Sequence, residues 1–261
     1  VLKQRVITAL FAVVALLLVL FVLPGAAAHL VVALVILAAA WEWSGFLGAR
    51  STPHRVAYVV FIAVLMGVVT WQAPQLDGLL LRLAVAWWTA ALVWIFFFPT
   101  PIPTVVRWVA GALVLVPLYS ALITLYLASP AILLGGLLVV WAADTGAFAA
   151  GKLFGRVKLA PQISPGKSWE GFIGGLLTVA LLAAAGAYLF DARILVLVPF
   201  CLAVACASVV GDLTVSMFKR TAGLKDSGSL FPGHGGVLDR IDSVAAAAPL
   251  FALGIGWAGL Q

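Results

Sequence analysis

The chain has 261 residues, of which 65% are hydrophobic and only 9% are Asp, Glu, Lys or Arg, and its formal charge is +6. A soluble domain is about 45–50% apolar and about 25% charged, so this composition excludes a water-soluble protein and indicates an integral membrane protein. The apolar runs are continuous and do not alternate, which selects helices over a barrel. No basic run with interleaved aromatic residues occurs, so no nucleic-acid partner is expected.

A spanning helix takes about 20 residues, which leaves room for about nine spans with short loops. The expectation is an all-α, polytopic transmembrane helical bundle. Span one, Val6–Leu23, follows Lys3 and Arg5; it is long for the apolar core of a signal peptide and leads through Pro24-Gly25 straight into another span, so it reads as an uncleaved helix. Span two is His29–Leu47, followed by a polar turn with Arg50, Pro53, His54 and Arg55. Span three is Val56–Trp71, Gln72–Gly78 is a loop, and span four is Leu79–Phe98, ended by Pro99, Pro101 and Pro103. Span five, Val105–Leu127, contains Pro117, a kink site. Span six is Ala131–Ala150, followed by a basic loop, Gly151–Glu170. Span seven is Gly171–Phe190, span eight Ile194–Gly211 and span nine Ile241–Gly259.

With the N-terminus in the cytoplasm and the C-terminus outside, every Lys and Arg except Arg82 and Arg193 falls on the cytoplasmic side, as the positive-inside rule asks. The same orientation puts residues 151–170 and 212–240 on one cytoplasmic face. Residues 1–130 read as scaffold helices with dimer contacts, and residues 131–261 as the catalytic region. Tryptophans near span ends fit an interfacial belt. Cys201 and Cys206 lie in an apolar run and read as packing residues.

Chemistry concentrates in Asp212–Asp242, which carries Asp212, Lys219, Arg220, Lys225, Asp226, Asp239, Arg240 and Asp242 around a glycine-rich turn containing His234, Gly235 and Gly236. Asp239 and Asp242 lie one helical turn apart. With Asp212 they form an oxygen-only set suited to Mg²⁺ or Mn²⁺; the plainer role for Asp239 alone is helix capping. Asp212, Ser216, Lys219 and Arg220 share a helix face, and the same bases complement a helix C-terminus. A glycine turn lets backbone N–H groups approach a phosphate, though most such turns are only turns. Asp144 lies inside span six, where an ionised group is costly and faces protein or water; it serves the site or a polar contact beside Thr145. Glu42, within span two among aromatics, is open between structure and function. In the 151–170 loop, Ser164, Lys167 and Ser168 can donate to phosphate, although the P-loop spacing is missing; Ser168 also suits the start of the next helix.

Four runs together resemble the phosphatidate cytidylyltransferase (CDP-diacylglycerol synthase) family: Ser216-x-x-Lys219-Arg220, Lys225-Asp226-x-Gly228, Phe231-Pro232-x-His234-Gly235-Gly236 and Asp239-Arg240-x-Asp242. Trp141-x-x-Asp144-Thr-Gly-Ala147 and Ser164-Pro-x-Lys167-x-x-Glu170-Gly171 are also similar to that family, so the resemblance is dense from Trp141 to Asp242. It implies a membrane nucleotidyltransferase that joins CTP and phosphatidic acid into CDP-diacylglycerol and pyrophosphate in phospholipid biosynthesis. It further implies Mg²⁺, with room for a second cation, a homodimer, and a cytoplasm-facing site in a bacterial inner membrane. On that reading Asp212, Asp239 and Asp242 are metal ligands or their supports, with Asp144 an additional candidate. Lys219, Arg220, Lys225 and Arg240 hold phosphates, with Asp226 among them. Ser164, Lys167, Ser168, Ser216, Gly235 and Gly236 bind substrate, and His234 donates to a phosphate, shuttles a proton or shapes the turn. The rival readings are a related lipid kinase or cytidylyltransferase with another acceptor, and an anion transporter; charges gathered at one face disfavour alternating access.

Overall fold

The computed structural model describes residues 2–48, 51–228 and 235–258, with side chains described outside 2–9 and 73–75. Among the described residues nine long helices follow one another: α1 Leu2–Phe21, α2 Gly25–Trp43, α3 Thr52–Trp71, α4 Ala73–Ile95, α5 Thr104–Ala128, α6 Pro130–Phe154, α7 Trp169–Leu189, α8 Ile194–Thr221 and α9 Leu238–Gly254. A 3₁₀ turn, Ser44–Leu47, extends α2. Between α6 and α7 lies a small antiparallel hairpin, β1 Lys158–Ala160 and β2 Ser164–Ser168.

The helical bundle agrees with the composition. Seven of the helices, α2 to α8, are long and apolar enough among the described residues to cross a membrane. The described apolar part of α1, Leu10–Phe21, is shorter, and α9 has 17 residues with charges in its first turns. Three expected loops are reshaped. Gln72–Gly78 is mostly helical, because Pro74 falls in the first turn of α4, where its missing N–H breaks no bond. In 151–170 the helix α6 runs on to Phe154 and the remainder forms the hairpin. In 212–240 the helix α8 continues to Thr221, where Gly223 (φ +72°) takes a left-handed turn and the Leu224 N–H bonds the Lys219 carbonyl at 2.9 Å. Pro117 lies inside α5, which continues past it.

The helix α9 is the centre of the packing. It contacts α8, α5 and α4, and its Ala245–Ala248 run is buried. Small side chains let helices approach, the main route to helix association in a bilayer. At Gly211 of α8 a Cβ would strike the Asp242 carbonyl oxygen, so α8 and α9 meet backbone to backbone. The pair α6–α7 is equally close: a Cβ on Gly175 would lie 2.7 Å from the Ala143 carbonyl oxygen. The helix α2 is tied in by Trp43, whose Nε1 donates to the Arg107 carbonyl at 3.0 Å and whose ring centroid is 5.1 Å from that of Phe218 on α8. Arg107 in turn donates to the Phe46 carbonyl at 2.9 Å.

Candidate active site

Two lysines organise the charged residues. Lys167, on β2, reaches Asp212 of α8 with Nζ 2.6 Å from Oδ2. Ser216, one turn further along α8, donates to Asp212 Oδ1 at 3.1 Å. Lys219, another turn on and buried, lies 2.7 Å from Asp239 Oδ1 and 3.9 Å from Asp242 Oδ2. The helical spacing Asp212, Ser216, Lys219 therefore forms one face, as the sequence predicts, and that face meets the first turns of α9.

The expected carboxylates are only partly brought together. Asp212 lies within electrostatic range of Asp242 and of Asp144, and Asp144 contacts Ser243 of α9. Asp239 is engaged separately: beside Lys219, it accepts the N–H groups of Ser227 and Gly236, both at 2.9 Å, through Oδ2. Burial alone would raise the Asp239 carboxyl; the hydrogen bonds from Lys219, Gly236 and Ser227 and the Lys219 charge outweigh it, so its pKa lies below the ordinary value. Among the described residues no three His, Cys, Asp or Glu side chains converge closely enough to hold a metal ion as they stand. The donors themselves are all carboxylate oxygens, the chemistry a hard divalent cation takes.

A polar cleft of about 390 Å³ gathers Asp144, Lys152, Lys167, Ser168 and Asp212. Ser168 Oγ accepts the Gly171 N–H at 3.1 Å and caps α7, the helix-start role that its sequence also suited. Glu170, in the first turn of α7, accepts the Val157 N–H at 3.2 Å and steadies the hairpin base. Ser164 is half-buried on β2. Arg220 binds the hairpin from the other side, its Nε donating to the Ile163 carbonyl at 3.1 Å and its Nη1 to the Leu224 carbonyl at 3.3 Å. Lys225 and Asp226, after the end of α8, and Arg240, in the first turn of α9, are exposed. Gly235 has φ +80°, a backbone that glycine tolerates, and the Gly236 N–H is directed to Asp239. His234 lies outside the described residues.

Two further residues stand out, Lys152, which the sequence did not single out, and Glu42, which it left open. Lys152 lines the cleft; it lies eight residues after Asp144 on α6, two turns along the same face, and that spacing was the available signal. Glu42 of α2, 8% exposed, accepts hydrogen bonds from Ser227, Val237 and Leu238. No local spacing could place it there, because its partners are more than 180 residues away.

Beside the polar cleft is an apolar chamber of about 570 Å³ between the C-terminal end of α4, the hairpin, α7 and α8. Leu159, Phe172 and Val209 line both spaces and so form their common wall. Cys206, half-buried with a free thiol, faces the chamber with Val210 and Leu213.

The sequence model of the cytidylyltransferase family matches residues 3–256. A protein of Pseudomonas aeruginosa named phosphatidate cytidylyltransferase is 44% identical, with 96% of each chain covered. One of Haemophilus influenzae with the same name is 36% identical, covering 96% of this chain and 97% of its own. A Staphylococcus aureus protein of that name is 46% identical over a shorter stretch, 43% of this chain.

Proposed function

The chain belongs to the cytidylyltransferase family, and from that premise we propose that it makes CDP-diacylglycerol and pyrophosphate from CTP and phosphatidic acid. The observation that carries the choice of a lipid acceptor is the shared wall between the polar cleft and the apolar chamber. An acceptor with a phosphate head and apolar tails fits such a pair of spaces: the phosphate beside Lys167 and an acyl chain in the chamber. A phosphate oxygen of the lipid attacks the α-phosphorus of CTP, one P–O bond forms, and the bond to the bridging oxygen of pyrophosphate breaks. The acceptor is already an anion, so the barrier is chiefly that of bringing anions together and stabilising the leaving group. Lys167 and Lys219, with Arg220, Lys225 and Arg240, are the proposed counter-charges.

Mg²⁺ is part of the proposal, with Asp212 and Asp242 as its ligands, Asp239 as support, Asp144 adjacent and room for a second cation. When bound it would neutralise phosphate charge and favour departure of pyrophosphate. The same reading takes the N-terminus as cytoplasmic, the C-terminus as external, Val6–Leu23 and Ile241–Gly259 as the remaining two spans, and the site as facing the cytoplasm of a bacterial inner membrane in a homodimer. The Lys and Arg distribution supports that orientation.

The test uses detergent-purified protein, labelled CTP, phosphatidic acid and Mg²⁺, with and without EDTA. Equimolar CDP-diacylglycerol and pyrophosphate, formed only with metal, is the expected result. No product from folded protein would overturn the reading; product that persists in EDTA would remove the metal from it.

A further inference from the structure

Glu42 lies in the half of the chain assigned to scaffold, yet its carboxylate meets both ends of the glycine-rich segment. Oε2 accepts the Ser227 hydroxyl and the Leu238 N–H, each at 2.8 Å, and Oε1 accepts the Val237 N–H at 2.9 Å. A Cβ on Gly228 or on Gly236 would collide with the same carboxylate, so glycine at both positions lets the backbone close around it. Leu238 begins α9, and that helix has no side-chain cap of its own. Hydrogen bonds from N–H groups to a carboxylate are among the strong ones, and a negative charge is favoured at a helix N-terminus. Glu42 thus does for α9, from another helix, what a local cap does elsewhere.

The consequence reaches the reacting groups. Ser227 and Gly236, which flank the segment, also donate their N–H groups to Asp239 Oδ2, and Asp239 Oδ1 holds Lys219. Glu42 and Asp239 therefore both hold the backbone on either side of the glycine-rich segment. The rotation and height of α9's first turn set Asp239 and Asp242 against Lys219, and Glu42 bonds that turn at the Val237 and Leu238 N–H groups. The helix α2 is itself held by the Trp43–Arg107 bond and the Trp43–Phe218 contact one residue further on.

We infer that Glu42 is a positioning residue for nucleotidyl transfer, acting through Ser227 and the first turn of α9 on the Lys219–Asp239–Asp242 group. The inference rests on the cytidylyltransferase reading for its kinetic readout. Glu42→Gln keeps the volume but turns an NH₂ toward a backbone N–H, so one bond becomes a donor–donor contact. It is expected to lower kcat by about 10²-fold, the cost of a misplacement on the order of 1 Å, with KM for CTP and phosphatidate held within about threefold on the same ground. Glu42→Asp keeps the charge on a shorter arm and should recover part of the loss. Ser227→Ala removes one bond and should give a smaller fall in kcat.

The comparison that separates positioning from mere stability is Leu125→Ala, a cavity variant in α5. Assayed below the melting temperature of each protein, it should keep kcat near the wild-type value while the Glu42 variants do not. Hydrogen exchange at the Val237 and Leu238 amides should rise in Glu42→Gln and stay unchanged in Leu125→Ala, a readout that needs no turnover. Equal kcat losses in Glu42→Gln and Leu125→Ala would overturn the inference. So would wild-type kcat in Glu42→Gln, or unchanged exchange at both amides. Failure of the wild-type protein to form CDP-diacylglycerol would instead overturn the reaction, leaving the exchange result to decide whether Glu42 sets α9.

Discussion

The Lys167 ammonium lies 2.6 Å from the Asp212 carboxylate, and this pair ties the β-hairpin to α8. Lys167 comes from a β-strand, Asp212 from a long helix, and the cleft that they share also holds Asp144 and Lys152. A hairpin carrying a cation to a half-buried acid can be opened by an anionic substrate that competes for the lysine. The substitution Lys167→Met keeps most of the length of the side chain and removes that charge. Loss of one electrostatic stabiliser of a transition state costs about 10²–10³-fold in kcat, and a fall of that size in labelled-CTP turnover is expected. A change below about threefold, far short of that range, would move the reacting phosphates away from this cleft.

The apolar chamber makes a prediction about the lipid. Cys206 and Val210 face it from α8. Trp at either position fills space that an acyl chain would occupy, so Cys206→Trp and Val210→Trp should reduce the preference for dioleoyl over dioctanoyl phosphatidate. Each buried CH₂ is worth about 0.8 kcal/mol, so displacing two or three of them should lower the ratio of kcat/KM values by about tenfold or more. Leu181→Trp, on an exposed position of α7, should leave the ratio unchanged. Alkylation of wild-type Cys206 gives a second measure: phosphatidate should slow it more than phosphatidylcholine of the same chains. Equal slowing by both lipids would mean that the chamber takes up bilayer lipid without regard to its head group.

Backbone contact between α8 and α9 can be tested at Gly211. A side chain there strikes the Asp242 carbonyl, which belongs to a rigid helix and has no rotamer to change. Overpacking of this kind costs about 1–3 kcal/mol. Gly211→Val should lower the melting temperature in detergent and lower turnover together, because the displaced backbone carries Asp242. An equally destabilised Leu125→Ala protein should lose stability alone. Matched kcat values in the two variants would show that the α8–α9 spacing does not set the site.

Much of this arrangement was legible from the residues. Composition gave the helical bundle, and helical spacing put Asp212, Ser216 and Lys219 on one face, where they are found. The span count was less secure, because α9 draws its length from packing: its short Ala-rich run is surrounded by other helices and has little need of the hydropathy that marks a lipid-facing span. The hairpin was missed since Ser164–Ser168 contains Pro165 and Gly166, which oppose a strand, and its pairing is completed by contacts with Glu170 and Arg220. Glu42 could not be resolved because its partners sit at the other end of the chain. The grouping of Asp212, Asp239 and Asp242 followed from their shared chemistry, whereas the fold sorts them by lysine: Asp212 to Lys167, Asp239 and Asp242 to Lys219.

Asp239 gives the protein an acid-sensitive term. Its folded-state pKa is depressed, because Lys219 and the N–H groups of Gly236 and Ser227 outweigh its burial. The stability that it contributes is then fully present above the unfolded value of about 3.9 and is lost as pH falls through the lower, folded value. Asp239→Asn has no such proton to take up. The melting-temperature gap between wild type and Asp239→Asn should therefore be constant from neutral pH down to about 5 and narrow at lower pH, as protonation brings the wild type toward the variant. Thermal unfolding in detergent across that range measures it. A gap that stayed constant to the lowest pH would mean that the Lys219–Asp239 contact adds nothing to folding. A gap that opened as pH fell would reverse the sign and place Asp239 in an environment that favours its neutral form.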